Sequence, residues 1–303
     1  MLPFFLQAQG EFNNWYFGNS AGITFNYGAP VALTNCASSF YSINCPSTIS
    51  DSIGNLLFYT DDYHLYNRNH EFMLNGTGLA TIGGCRQPFF IVKTLYDDSL
   101  YYLFTLDNEY HPITYPDPKG LSFSMVDMRL DGGLGAIVPG QKNIQVSGAE
   151  QTTDVMTATR HKNNRDVWLV VRKYINSNEF LSYKITSSGI NMNPVVSNSL
   201  VTWVYIPGDG GPEEIKISPD GTIFICVYGW VLELCHFSSE TGVITPMFIF
   251  DSLQSHNSVE FSLNSKFLYV SKMGTGGAGI WDIYQYDLSK TDSLEFVQSE
   301  IFL

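Results

Sequence analysis

Residues 48–69 read TISDSIGNLLFYTDDYHLYNRN. A short β-prone run, Thr48-Ile49-Ser50, meets a polar turn, Asp51-Ser52-Ile53-Gly54-Asn55. An apolar run follows, Leu56-Leu57-Phe58-Tyr59-Thr60, then a second turn and a third run, His64–Asn67. Turn-forming residues between short β-branched and aromatic runs are the strand–turn–strand signal. The phrase recurs as Ile215-Lys216-Ile217-Ser218-Pro219-Asp220-Gly221-Thr222 leading into Ile223–Val227. It recurs again as Val259-Glu260-Phe261-Ser262-Leu263-Asn264-Ser265-Lys266 leading into Phe267–Val270. Comparable strand starts return every forty or so residues where insertions are absent, the spacing of four-stranded propeller blades.

Working outward, Trp15-Tyr16-Phe17, Gly22–Phe25 and Pro30–Leu33 read as opening strands. Phe89–Lys93, Leu100–Thr105 and Leu121–Asp127 form a second repeat interrupted by a Tyr- and Pro-rich insertion, Asp107–Lys119. Asp154–Arg160, Val167–Val171 and Phe180–Ile185 form a third, and two more fill the chain to a strand-like run at Phe296–Leu303. No segment keeps an apolar period of 3.6 over ten residues, so almost no helix is expected. Runs such as Leu56–Tyr59 and Val167–Val171 are apolar on both faces, which demands a neighbouring sheet on either side. The expected fold is therefore all-β: a β-propeller of four-stranded antiparallel blades, about five to six of them supplied here. A β-sandwich would also bury such strands, but it would not repeat a whole four-strand phrase.

Bulk properties bound the function. Of 303 residues, 44% are apolar, enough for a large core, while aromatic and charged residues are 15% each. The formal charge of −13 opposes nucleic acid and anionic membrane surfaces, whose binders need basic patches. No apolar run is long enough to span a bilayer. The start, MLPFFLQAQG, is read as the stump of a signal peptide over residues 1–9, or as an ordinary strand, ahead of a single domain at 10–303 that is incomplete at its C-terminus. Five cysteines show no zinc spacing. Cys36 and Cys45 are close enough in sequence to bridge a loop in an oxidising compartment.

Several phrases together resemble a known family. They are Trp15-Tyr16-Phe17-Gly18-Asn19-Ser20-Ala21-Gly22-Ile23-Thr24-Phe25, Gly54–Asp61, Tyr66–His70, Met73–Leu79, Leu130-Asp131-Gly132-Gly133-Leu134-Gly135, Ser218–Gly221 and Tyr284–Leu288. They are similar to the N-terminal region of Bacteroidota surface proteins that carry a gliding-motility-associated C-terminal sorting domain and leave through the type IX secretion system. That resemblance implies a WD40-like propeller of seven blades, export to the cell surface, and no catalytic residues to carry over.

If the innermost strand of each repeat faces a channel, one mouth gathers Ser47, Gln87, Asp154, Glu213, Glu214 and Glu260. Carboxylates so placed suit a hydrated polar channel, or Ca²⁺ with its preference for oxygen ligands, or an acid/base pair for glycoside cleavage. No cofactor is otherwise called for. Tyr110 and Tyr115 in the insertion, with Trp203 and Tyr205 in a second loop, offer aromatic faces for a sugar or a protein partner, or pack back as local core. Trp168 and Trp281 read as packing residues, and His111, His161 and His256 as turn or loop residues. Gly274–Gly279 lacks the ending and helix of a phosphate loop. The leading expectation is a non-catalytic secreted module that binds a protein or glycan through one propeller face. The alternative is a glycoside hydrolase or lyase working with the mouth carboxylates.

Overall fold

The computed structural model describes residues 10–37, 47–61, 63–81, 87, 89–107, 120–173, 177–203, 214–251, 256–274 and 281–303. The chain divides into two compact units, Met1–Val146 and Ser147–Leu303. Both are all-β and almost wholly antiparallel.

In the first unit, β1 (Asn14–Gly18), β2 (Ala21–Tyr27) and β3 (Ala29–Leu33) form a three-stranded meander. Next come β4 (Thr48–Ser50), β5 (Leu56–Thr60), β6 (His64–Asn67) and β7 (Phe72–Thr77). They are followed by β8 (Phe89–Lys93), β9 (Leu100–Asp107) and β10 (Gly120–Asp127), whose outer partner is split into β11 (Ala136–Ile137) and β12 (Ile144–Gln145). A single parallel bridge, Ala136 to Leu74, fuses these two four-strand sets into one nine-stranded sheet, where the repeat predicts separate sheets.

β5 shows why the sets stack. Tyr59 stacks on Tyr16 of β1 with ring centroids 4.6 Å apart, and on Tyr66 at 5.1 Å. Its neighbour Phe58 points the other way and meets Tyr101 of β9 edge-on at 5.6 Å. Alternation along a strand sends successive side chains to opposite faces, so a strand apolar at every position needs a core on each side.

The second unit repeats that logic. Its sheets are β13 (Thr152–Arg160), β14 (Val167–Lys173), β15 (Ser177–Thr186), β16 (Gly189–Ile190) and β17 (Val195–Trp203); β18 (Glu214–Ile217), β19 (Ile223–Val227), β20 (Val231–Phe237) and β21 (Ile244–Asp251); and β22 (His256–Phe261), β23 (Phe267–Met273), β24 (Trp281–Asp287) and β25 (Ile301–Phe302). In β19, Phe224 and Cys226 enter one core with Trp168, Val170 and Phe180, while Ile225 and Val227 enter another with Val259, Leu268 and Tyr286.

The turns that join the first two strands of these sheets use one hydrogen-bonding device. Ser218 Oγ donates to Asp220 Oδ1 (2.6 Å) and accepts from the Ile223 amide (2.9 Å), while Asp220 Oδ1 accepts from Thr222. Ser262 and Asn264 repeat the arrangement with Phe267 and Lys266. At the third copy His161 takes the serine's place and Asn163 Oδ1 accepts from Arg165 and Asp166. Side-chain oxygens that satisfy turn amides fix the hairpin register locally. The position after the acid or amide is left-handed in all three copies: Asn164, Gly221 and Ser265 have φ of 55°, 71° and 54°.

Local differences from the sequence reading have physical causes. The terminal run is not a strand throughout. Asp292 accepts from the amides of Leu294 and Glu295 and caps a short helix, α1 (Ser293–Gln298), which buries Phe296 against Phe250 and Tyr286. His256 is a buried strand residue, not a loop residue, and His161 is buried in its turn, stacked on Trp168 at 5.6 Å. Trp168 is core, as expected, and Gly242 lies against it so closely that a Cβ would come within 2.7 Å of the ring. Trp281 is in a strand but 42% exposed, so it is not a packing residue. Cys36 is a buried free thiol; Cys45, residues 1–9, most of the 107–119 insertion, His111 and 275–280 lie outside the described residues.

Because Phe224 is fully enclosed between two sheets, Phe224→Ala should cost about 3–5 kcal/mol in urea unfolding. Leu263→Ala, in the turn and 95% exposed, should stay within about 0.5 kcal/mol of wild type. Equal effects would contradict the two-sided core.

Candidate functional site

The expected mouth carboxylates are partly brought together. β18 and β22 are the first strands of consecutive sheets and share no backbone ladder. Side chains tie them instead. Lys216 Nζ lies 3.1 Å from Glu214 Oε1 and 2.8 Å from Glu260 Oε2, and donates to the Val259 carbonyl at 2.9 Å. Glu214 Oε2 in turn accepts from Ser258 Oγ (2.9 Å) and the Val259 amide (2.7 Å). Alternation explains the grouping: Glu214 and Lys216 are two apart on β18, so they share a face, while Ile215 and Ile217 go to the core.

Burial opposes the charge on Lys216, but Glu214 and then Glu260 outweigh it and hold its pKa above the ordinary 10.5. The ammonium is therefore a fixed cation at neutral pH, unsuited to act as a base. Glu260 is two-thirds exposed and Glu214 a quarter, so Glu260 is the carboxylate that faces solvent.

The other expected site residues are scattered. Ser47 makes a related link in the first unit, its hydroxyl donating to the Phe89 carbonyl at 3.0 Å. Asp154 lies on β13 and Gln87 precedes β8. Glu213, Tyr110, Tyr115 and Tyr205 lie outside the described residues. Trp203 ends β17, its backbone paired with Ser177. Among the described residues, no three Asp, Glu, His or Cys side chains converge as a cation site. Nor is any helix there long and apolar enough to cross a membrane.

A shallow cleft of about 380 Å³ in the first unit is lined by Asn14, Tyr16, Tyr27 and Arg68 among others. Among the described residues no carboxylate, histidine or lysine lines it, and two of its amides are engaged: Asn14 donates to Ser50 and Gly54, and Asn26 to Gly54. Those residues offer no general acid or base.

One cluster escaped the sequence reading. Arg172 of β14 and Glu233 of β20 are both fully buried. Glu233 accepts from Ser199 Oγ (2.5 Å), the Leu200 amide (2.7 Å) and Tyr228 OH (2.9 Å). Burial pushes the phenol of Tyr228 well up and the thiol of Cys226 up to about 12, so both stay protonated. The available signal was a charge in or closing an apolar run, Val231–Cys235 and Val167–Arg172, where burying an ion requires a partner.

No family model matches the chain, and no curated protein does. Among solved structures it is similar to a functionally unknown protein from Desulfotomaculum acetoxidans, with a TM-score of 0.51 and 11% identity over 93% of this chain and 81% of that one. It is also similar to a candidate 6-phosphogluconolactonase from Bacteroides uniformis, with a TM-score of 0.50 and 11% identity over 88% of this chain and 74% of that one. Likeness at such identity is a likeness of fold. These findings correct the resemblance to WD40-like, type IX-secreted, gliding-motility surface proteins: neither structure carries that family's name, and the recurring phrases reflect β-turn chemistry. The expectation of a non-catalytic adhesion module is withdrawn with that resemblance.

Lys216→Met should lower stability by about 1–2 kcal/mol at pH 7, because it leaves two carboxylates unpaired. A folded-state pKa raised above the unfolded value stabilises fully below about pH 10.5 and loses that contribution as pH rises through the folded value. The gap between wild type and variant in thermal melts should therefore be constant to about pH 10 and close above it. A gap independent of pH would show that the ammonium is not the source.

Proposed function

We propose that the sheets are blades of a β-propeller and that the protein is a hydrolase of a sugar-derived ester or lactone, working at Glu214, Lys216 and Glu260. The observation that carries this reading is the convergence of both carboxylates on one lysine at 3.1 and 2.8 Å, across the first strands of two consecutive sheets. The fold likeness to a candidate lactonase supports it at the level of architecture.

The roles follow from exposure and charge. Glu260, the solvent-facing carboxylate, takes a proton from water as that water attacks the acyl carbon. Lys216, kept cationic by its partners, stabilises the developing oxyanion. The tetrahedral adduct collapses with cleavage of the acyl C–O bond, and the proton held by Glu260 passes to the leaving alkoxide. Glu214 positions the lysine through its own bonds to Ser258 and Val259.

A glycosidase reading has one observation in its favour. Two carboxylate oxygens that both touch Lys216 lie no further apart than the sum of those contacts, a range that includes the ~5–5.5 Å of retaining enzymes. Against it, both carboxylates are engaged by the Lys216 ammonium, whereas glycoside cleavage needs one carboxyl free to donate a proton.

Purified protein should hydrolyse gluconolactone or its 6-phosphate above the spontaneous rate and leave nitrophenyl glycosides untouched. Glu260→Gln should lower kcat by about 10²–10⁴ and Lys216→Met by about 10²–10³. Turnover of glycosides alone would move the assignment to the second reading, and turnover of neither class would end both.

A further inference from the structure

The cleft of about 380 Å³ in the first unit has a braced floor and a rim of unused polar groups. Its floor is the turn between β4 and β5. The Gly54 carbonyl accepts from Asn14 Nδ2 and Asn26 Nδ2, both at 2.8 Å, and Asn26 Oδ1 accepts from Asn13 at 2.9 Å. Asp51, the carboxylate of that turn, is taken up by the amides of Ile53 and Asn55 and by the Asn55 side chain. Gly54 has a φ of 91°, and a Cβ there would lie 2.0 Å from Asn26 Oδ1, so a side chain at this position would break the floor.

The rim is different. Arg68 and Asn69 reach it from the turn between β6 and β7, where Asn67 Oδ1 accepts from the Asn69 amide at 2.8 Å and holds the backbone. Tyr27 reaches it from the end of β2 and is 77% exposed. The Arg68 guanidinium, the Asn69 side-chain amide and the Tyr27 hydroxyl have no hydrogen-bond or ion-pair partner among the described residues. The chain carries a formal charge of −13, yet among the described residues lining this cleft the one charged group is that cation. Exposed charges elsewhere are screened over about 8 Å at physiological ionic strength, so the arginine sets the local potential.

We propose that this cleft binds a hexuronic acid, a pyranose ring that bears one carboxylate. The planar fork of Arg68 takes the carboxylate through two parallel N–H donors. Tyr27 offers an aromatic face to the ring, while Asn69 and the Asn55 side-chain oxygen serve its hydroxyls. One cation balances one carboxylate, whereas a phosphate ester carries about −1.5 to −2 at pH 7 and calls for more. The volume lies at the low end of the roughly 300–1,000 Å³ of small-molecule pockets, which suits a sugar ring and excludes a folded partner. Because the floor is already fixed by its own hydrogen bonds, little ordering entropy opposes capture. The cleft shares no residue with Glu214, Lys216 and Glu260, and it does not rest on the hydrolase reading.

Calorimetric titration of the full chain with methyl glucuronoside and methyl galacturonoside should show saturable binding of at least one at millimolar concentration. Methyl glucoside, the neutral counterpart, and acetate, the carboxylate without a ring, should each bind about tenfold more weakly or worse. Arg68→Met should weaken the uronoside by about tenfold or more, and Arg68→Lys, which keeps the charge but loses the fork, should recover only part of that loss. Tyr27→Ala should weaken it as well. Both side chains are exposed, so these variants should melt as wild type does, and lost affinity then reports the cleft itself. Lys216→Met should bind the uronoside as wild type does, which separates this cleft from the proposed hydrolase site. The proposal is overturned if neither uronoside binds saturably, if methyl glucoside or acetate binds as tightly, or if Arg68→Met leaves the affinity unchanged. It is overturned too if Lys216→Met abolishes binding, or if glucose 6-phosphate binds more tightly than either uronoside, which would mark a phosphate site.

Discussion

A strand that is apolar on both faces cannot remain at a surface, and the architecture of each unit follows from that constraint. β5 sends Tyr59 to one side and Phe58 to the other; β19 sends Phe224 and Cys226 one way, Ile225 and Val227 the other. At about 25 cal/mol per Å² of apolar surface, exposing either face of such a strand would forfeit several kcal/mol. Within each unit, sheets therefore stack in series, and the second and third strands of a four-strand set hold most of its enclosed residues.

Stacking alone does not fix register, and a one-residue slip would turn every core side chain to the wrong face. The turn between first and second strands supplies that constraint. A serine or histidine side chain, followed two residues later by Asp or Asn, satisfies the turn amides at Ser218, Ser262 and His161. The left-handed residue that follows is glycine in one copy and Asn or Ser in the others, which shows that local hydrogen bonding outweighs the roughly 1–2 kcal/mol cost of that conformation. The first strand is thus held in place by its turn while its outward-facing positions stay free for polar groups. That freedom is what places Glu214 and Lys216 on β18 opposite Ser258 and Glu260 on β22.

The two charged clusters of the second unit show how burial divides roles. Lys216 sits among carboxylates with one side toward water, so its charge is balanced and partly solvated. Arg172 is sealed under Phe180 and Tyr228, with its guanidinium away from solvent. Arg172 closes a strongly apolar run and is interior, while Lys216 alternates with isoleucines and lies partly at the surface. The difference is the face of the strand on which each falls and whether a further sheet covers that face.

The strand order, the turns and the two-sided burial were legible in the chain because they depend on neighbours within some twenty residues: alternation sets the faces, and Ser, Asp, Asn and Gly set the turns. Glu214 and Glu260 could also be picked out as first-strand carboxylates by the repeat register. Their meeting on Lys216 could not, since it joins residues more than forty positions apart and depends on how closely two sheets approach. The terminal helix was hidden for a related reason: Asp292 caps it locally, but burial of Phe296 against Phe250 and Tyr286 is what secures it. Likewise the fusion through Ala136 and Leu74, and the enclosure of Arg172 and Glu233, were decided only by packing at long range. Local periodicity determines which way a side chain points, while tertiary structure alone determines what it meets there.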